Sequence, residues 1–245
     1  MRVDYNTDTG AVRDSNQDSC ECGLFSQDSA WAIVCDGMGG ANGGNVASAV
    51  AAKEIKEFLT SGFDENMSRE NLKSLLLNAV SQANRAVYSM AQEQEELRGM
   101  GTTAVVLLAT KGLLHVAHVG DSRAYLKNKD GLSQITMDHS YVQDLVNIGQ
   151  ITQEEARVHP QRNIITRALG GHEIVLCDYS YFDFSPGDTA LACSDGLSNY
   201  VEEALLLEYM EKYDKDGKAL TEHLTEYAVK SGGADNITVA VIKNG

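Results

Sequence analysis

Short apolar runs of strand character alternate in blocks with long amphipathic stretches, and this pattern organises the whole chain. Strand signals come first, at residues 3–7, 17–22 and 30–35, the last being the apolar run Ala30-Trp31-Ala32-Ile33-Val34-Cys35. Two helical patterns follow. Ala47, Ala51, Ile55 and Phe58 recur at helical spacing, as do Leu72, Leu76, Ala79, Ala83, Val87 and Met90. Ser68 and Asn71 both stand where an N-cap would open the second helix. A strand meander is expected at 103–110, 114–119, 122–127 and 132–135, its last turn carrying the hairpin residues Asn128-Lys129-Asp130-Gly131. Residues 138–166 are polar and helix-interrupted, and read as a mobile surface segment. Strands resume at 174–184 and 189–193, helices at 202–213 and 218–231, and a last strand places Ile237, Val239 and Val241 on one face. Blocks without regular βαβ alternation favour an α+β fold, two packed antiparallel sheets covered by helices, over a doubly wound one.

Three of the apolar runs stop at an aspartate followed by a small residue: Asp36-Gly37, Asp121-Ser122 and Asp195-Gly196. A fourth aspartate, Asp235, directly precedes the final strand. If these strands share one sheet system, their ends gather several carboxylates. Two unit charges about 4 Å apart repel by roughly 4 kcal/mol at an effective dielectric near 20, so such a cluster is expected to hold multivalent cations. Read singly, each Asp-Gly is a common turn.

With 245 residues, 43% of them hydrophobic and 22% charged, the chain suits one large globular domain. Its formal net charge of −15 disfavours nucleic acid and anionic membrane as partners. The five cysteines are odd in number and mostly lie in apolar strands, which fits reduced thiols. No apolar signal core and no run long enough to span a bilayer is present, so a soluble, cytoplasmic protein without membrane insertion is expected.

The richest segment, Asp36-Gly37-Met38-Gly39-Gly40-Ala41-Asn42-Gly43-Gly44, follows a strand and precedes a helix. It lacks the Lys-Ser/Thr of a P-loop and the spacing of a dinucleotide loop, while its glycines let carbonyl oxygens approach a cation closely. Arg13, five residues before Asp18, has the guanidinium suited to bidentate phosphate contact, although surface arginines are common. His115 and His118 read as structural, and Ser194 lacks the nucleophile-elbow context. Asp214-Lys215-Asp216-Gly217 is a poor calcium loop, with its glycine misplaced.

Taken in order, the segments resemble the metal-dependent Ser/Thr protein phosphatases of the protein phosphatase 2C type. The resemblance rests on Gly10-Ala11-Val12-Arg13-Asp14-Ser15-Asn16-Gln17-Asp18, Asp36-Gly37-Met38-Gly39-Gly40, Gly101-Thr102-Thr103, Val119-Gly120-Asp121-Ser122-Arg123-Ala124-Tyr125, Asp138-His139-Ser140, Thr166-Arg167-Ala168-Leu169-Gly170, Ser194-Asp195-Gly196-Leu197 and Gly232-Gly233-Ala234-Asp235-Asn236-Ile237-Thr238. Each piece alone is weak; their order over nearly the whole chain is specific. The compact length and the run His159-Pro160-Gln161-Arg162-Asn163 are most similar to stand-alone bacterial members.

The resemblance implies an αββα sandwich, a single catalytic domain over 1–245 with a flap within 138–166. It implies a centre of two Mn²⁺ or Mg²⁺ ions, with a third, weaker ion in bacterial members. Asp36 would bridge the pair and Gly37 would offer its carbonyl. Asp195 and Asp235 would hold one ion, Asp18 would bind or orient metal water, and Asp121 with Asp195 would hold the third. Arg13 would grip the substrate phosphate. Phosphoserine and phosphothreonine in proteins would be hydrolysed by attack of a metal-bridging water or hydroxide, with Arg13, Asp36, Asp195 and Asp235 as the catalytic set. A bacterial eukaryotic-like Ser/Thr kinase and its substrates would be the partners of a monomeric enzyme.

Two residues depart from the pattern. Met38 stands where animal members carry a histidine proposed as general acid, so metal-bound water is the expected proton donor; Gln17 replaces a glutamate of some members. Arg157, His159, Arg162 and Arg167 form a stretch without acidic residues, and some of them are expected to steer phosphoprotein toward the centre. Other readings are a phosphatase acting on an anti-sigma-factor antagonist, a non-catalytic phosphoprotein-binding module on the same fold, and a calcium-responsive binding protein.

Overall fold

The structure, a computed structural model, describes the backbone of residues 1–245 and every side chain except those of residues 40–42, part of the glycine-rich run, which lie outside the described residues. Strands β1 (Arg2–Asp8), β2 (Asp18–Leu24) and β3 (Ala30–Met38) lead into helices α1 (Gly40–Gly62) and α2 (Arg69–Glu93). A meander follows: β4 (Gly101–Thr102), β5 (Ala104–Thr110), β6 (Leu113–Val119), β7 (Arg123–Asn128) and β8 (Gly131–Gln134). Two short helices, α3 (Tyr141–Asn147) and α4 (Gln153–Arg157), precede β9 (Asp178–Asp183) and β10 (Thr189–Cys193). The chain ends with α5 (Asp195–Ser198), α6 (Glu203–Lys212), α7 (Gly217–Lys230) and β11 (Ile237–Lys243).

One antiparallel sheet has the order β1-β11-β10-β7-β8; the other runs β2-β3-β5-β6-β9, with β4 added beside β3. The sheets face each other, α1 and α2 cover the second, and α6 and α7 cover the first. Three apolar interfaces result. Trp31, Ile33 and Cys35 of β3 join Ala47, Ile55, Leu76 and Val87 under the first helix pair. The alternate residues Ala30, Ala32 and Val34 meet Ala190, Ala192, Ala240 and Ile242 between the sheets. Leu191, Ile237, Val239 and Val241 pack on Leu206, Met210, Leu220 and Leu224. Because both faces of β3, β5, β10 and β11 are covered, these strands read as continuous apolar runs, although their sheets are antiparallel.

Ser68 is the N-cap of α2, its Oγ accepting from the Asn71 backbone N–H at 3.2 Å, so of the two candidate caps the structure uses Ser68. The strand expected over 174–184 starts only at Asp178. Before it, the buried Asn84 amide donates to the carbonyls of His172 (3.1 Å) and Glu173 (3.0 Å) and accepts from Gly170 N–H (2.9 Å), a local bonding set that replaces strand pairing. Residues 138–166 carry α3 and α4, the second opened by a Thr152–Glu155 capping box.

Two further differences touch the aspartates. Strand β3 continues past Asp36 because Gly37 and Met38 pair with Thr102 and Gly101. Asp195 opens the one-turn helix α5 instead of a plain turn. Gly196 sits so close to the next segment that a Cβ there would lie 2.0 Å from the Asn236 carbonyl oxygen. Gly196→Ala should therefore strain the α5–β11 contact by ~1–3 kcal/mol and lower the melting temperature by several degrees. An unchanged melting curve would show that this approach is not tight.

Candidate metal and phosphate centre

Strand geometry places five aspartates at one end of the sandwich. Asp18, first residue of β2, is the register partner of Asp36 on β3. Asp121 follows β6, Asp195 follows β10, and Asp235 stands in the turn before β11. Asp36 is fixed through its backbone: its N–H donates to Thr103 Oγ1 (2.9 Å), and its carbonyl accepts from Thr103 N–H (2.8 Å) and Thr102 Oγ1 (2.8 Å). Thr103 Oγ1 is in turn hydrogen bonded to Ser122 Oγ at 2.7 Å. At Gly37 an added Cβ would fall 2.0 Å from the Gly44 carbonyl oxygen, so only glycine lets the helix start approach this strand end.

The carboxylates feel one another. Burial drives the Asp36 carboxyl well above its ordinary range, and the charges of Asp18, Asp195, Asp121 and Asp235 add to this. Asp18 is pushed up to about 7, first by burial, against the hydrogen bond donated by Ser194 Oγ at 2.7 Å and another from Thr238. Asp121 is likewise pushed up to about 7 by burial, then by Asp195 and Asp138. Asp195 is raised by burial and then by Asp235, against hydrogen bonding with Asn199 and Asp36.

Two buried oxygens, Asp18 Oδ1 and Asp195 Oδ1, have no hydrogen-bond partner among the described residues. An unpaired buried carboxylate oxygen is costly, and an all-oxygen donor set of this charge suits a hard divalent cation. The residues present therefore fit such ions. Among the described residues no three aspartates bring oxygens within 4.8 Å of one another, whereas His118, His139 and Asp178 do bring ligand atoms that close. Arg167 already serves that trio, with Nη1 2.8 Å from Asp178 Oδ1 and 3.2 Å from His139 Nε2. A fixed guanidinium there opposes a cation, and His139 Nδ1 is used to accept from Gly120 N–H at 3.1 Å. This trio shapes the Asp121 loop instead.

Arg13 reaches the centre from the loop before β2. Its Nη2 lies 2.8 Å from Asp235 Oδ2, with half of the Arg13 side chain exposed. Beside the aspartates opens a cleft of about 420 Å³ with Asp121 and Asp195 in its wall, faced by Arg157 and Arg162 from the α3–α4 segment and by Glu202 and Glu203 at the start of α6. Of the four basic residues in the stretch 157–167, Arg157 and Arg162 line this cleft, Arg167 is spent on Asp178, and His159 packs against Tyr141 instead. Met38 ends β3 with an aliphatic thioether that donates no proton.

Sequence reasoning missed the residues that hold the aspartates: Ser194 on Asp18, Thr102 and Thr103 on Asp36, and Asn236 behind Asp235. The available signal for Ser194 and Asn236 was their place directly beside Asp195 and Asp235; Thr102 and Thr103 stand in a segment with no aspartate.

The family model described as Protein phosphatase 2C matches residues 11–232. The chain belongs to the protein phosphatase 2C family. The serine/threonine phosphatase Stp of Listeria innocua is 36% identical over 251 residues, covering 99% of this chain and 96% of that one. The serine/threonine phosphatase of S. agalactiae superposes with a TM-score of 0.91 at 31% identity, over 100% of this chain and 99% of that one. The catalytic domain of the serine/threonine protein phosphatase PstP, solved with two manganese ions, gives a TM-score of 0.84 at 35% identity, covering 98% and 96%.

Without cations, Asp18 and Asp121 keep their protons up to about pH 7 in the folded chain, whereas the unfolded chain releases them near ~3.9. Across that window the folded state binds more protons, so its stability falls as pH rises from about 4 toward 7. A divalent cation binds the deprotonated carboxylates, so its stabilisation grows over the same window. The gain in melting temperature on adding excess Mn²⁺ should be larger at pH 8 than at pH 6. Equal gains at both would show that these aspartates are not what the cation engages.

Proposed function

We propose that this chain is a metal-dependent phosphoprotein phosphatase that hydrolyses phosphoserine and phosphothreonine in proteins. The observation that carries the reading is the convergence of Asp18, Asp36, Asp121, Asp195 and Asp235, two of them with unpartnered buried oxygens, beside an arginine and an open cleft. The similarity to serine/threonine phosphatases over the full chain, one of them solved with two manganese ions, supports it.

Asp36 would bridge two Mn²⁺ or Mg²⁺ ions, Gly37 would lend its carbonyl, Asp195 and Asp235 would hold one ion, Asp18 would orient solvent, and Asp121 with Asp195 would hold a third ion more weakly. Such ions supply Lewis acidity toward phosphoryl oxygens and make solvent nucleophilic near neutral pH. The chain's own part is positioning. Ser194 and Thr238 keep Asp18 turned toward the centre. Thr102, Thr103 and Ser122 fix the backbone under Asp36. Arg13 presents donors whose fork matches two phosphoryl oxygens. Met38 provides no proton, so the leaving alkoxide is protonated by another group.

Residues 138–166 form the flap of a single catalytic domain over 1–245, and its Arg157 and Arg162 face the cleft that receives the flanking protein chain. A cytoplasmic monomer that opposes a bacterial Ser/Thr kinase is the accompanying cellular reading. No helix of the described residues is long and apolar enough to cross a membrane.

Asp36→Asn should lower Mn²⁺-dependent hydrolysis of a phosphothreonine peptide by ~100-fold or more, the scale of losing one preorganised electrostatic contact. The variant should also take up less Mn²⁺ in a calorimetric titration, and chelator should abolish wild-type turnover. Full turnover by the variant or by chelated protein would end the metal-dependent reading, and no turnover by the Mn²⁺-loaded wild type would end the phosphatase reading. Arg162→Ala should weaken hydrolysis of a phosphoprotein about 2–5-fold, as expected for an exposed charge contact, with little change on a small aryl phosphate. Equal loss on both substrates would place Arg162 in folding or chemistry instead of docking.

A further inference from the structure

The loop that carries Arg13, residues 9–17, has no regular secondary structure, and residues 11–15 are exposed. Val12, its one large apolar residue, is 66% exposed and anchors nothing. A long, rotamer-rich arginine on such a loop would be poorly placed unless something other than packing fixed the backbone beneath it.

That fixing comes largely from one side chain. Asn236 is 4% exposed and uses its whole carboxamide on this loop. Nδ2 donates to the Thr9 carbonyl at 2.9 Å and to the Ser15 carbonyl at 3.0 Å, and Oδ1 accepts from Gln17 N–H at 2.8 Å. Thr9 and Ser15 flank Arg13, so the two N–H donors close the neck of the loop around it. A further backbone bond, Ala11 N–H to the Gly233 carbonyl at 2.8 Å, tacks the loop to the turn that carries Asp235. Arg13 thereby meets Asp235 at 2.8 Å. Only a primary amide of this length supplies two donors and one acceptor in this arrangement; an aspartate keeps the shape and loses both donors.

We infer that Asn236 is a positioning residue for substrate phosphate, acting through Arg13 by clamping the 9–17 loop. The inference rests on the phosphatase reading of Arg13, and it assigns Asn236 no contact with substrate.

The test uses the full chain loaded with Mn²⁺, a small aryl phosphate as substrate and inorganic phosphate as competitive inhibitor. Asn236→Ala should raise both KM and the phosphate inhibition constant about tenfold, the scale of one to two net hydrogen bonds, with a smaller fall in kcat. Its Mn²⁺ affinity by calorimetry should stay within about twofold of wild type, as for a residue acting through Arg13 alone. In an Arg13→Ala background, adding Asn236→Ala should change phosphate inhibition by less than about twofold, because coupled residues do not add. Asn236→Ser, uncharged and still polar, should show the same pattern, and it carries the test if the alanine variant does not fold. A full additional loss in the Arg13→Ala background overturns the inference, as does a parallel loss of Mn²⁺ affinity, which would place Asn236 behind Asp235 alone. If Arg13→Ala leaves phosphate inhibition unchanged, the phosphate role of Arg13 fails and the inference falls with it. That result is distinct from one in which Arg13 matters and Asn236 is merely additive.

Discussion

Mutual repulsion among carboxylates at one end of the sandwich is the constraint around which the rest of the molecule is arranged. Burial and neighbouring charge raise Asp18, Asp36, Asp121 and Asp195 together, and among the described residues none of these groups gains an arginine or lysine as a full counter-ion. Asp235, at the rim, has one in Arg13. A fold that holds such a cluster must draw its stability elsewhere. It does so through three apolar interfaces whose central strands are covered on both faces. A divalent cation held there would convert the unfavourable cluster into a favourable one.

The aspartates are held by short hydroxyl and amide contacts from neighbouring strand ends, not by apolar packing. Ser194 bridges Asp18 and the backbone of Thr238, so it joins the two sheets through one oxygen. Thr103 and Ser122 do the same under Asp36. Arg123 meets Asp138 through Nε at 3.0 Å and Nη2 at 2.7 Å, which keeps a sixth carboxylate from adding free charge at the cleft wall. The placement of the aspartates thus depends on hydroxyl and amide groups of neighbouring strand ends.

Much of this was legible in the sequence because both signals were local. Apolar runs such as Ala30 to Cys35 and the periodic leucines of α2 marked their elements directly, and each strand-end aspartate stood next to its run. What could not be read was pairing. The extension of β3 through Gly37 and Met38 depends on β4, a two-residue strand with no periodicity of its own. The loop before β9 depends on Asn84, nearly ninety residues away, and its apolar Ile174 and Leu176 are exposed. The arginines of the 157–167 stretch were sorted only by tertiary partners: two face the cleft while Arg167 is bound to Asp178. Sequence pattern gives elements, and long-range hydrogen bonds decide how their ends are used.

Strand β1 has a single neighbour, β11, whose residues lie more than two hundred positions away along the chain. Strand β1 is therefore made well before its partner, and it has no sheet neighbour until β11 has been added. Since Asp235 sits at the head of β11, assembly of that sheet and completion of the acidic pocket are one event. A molecule that lacks β11 and the turn before it lacks both the closing strand of that sheet and the Asp235 carboxylate.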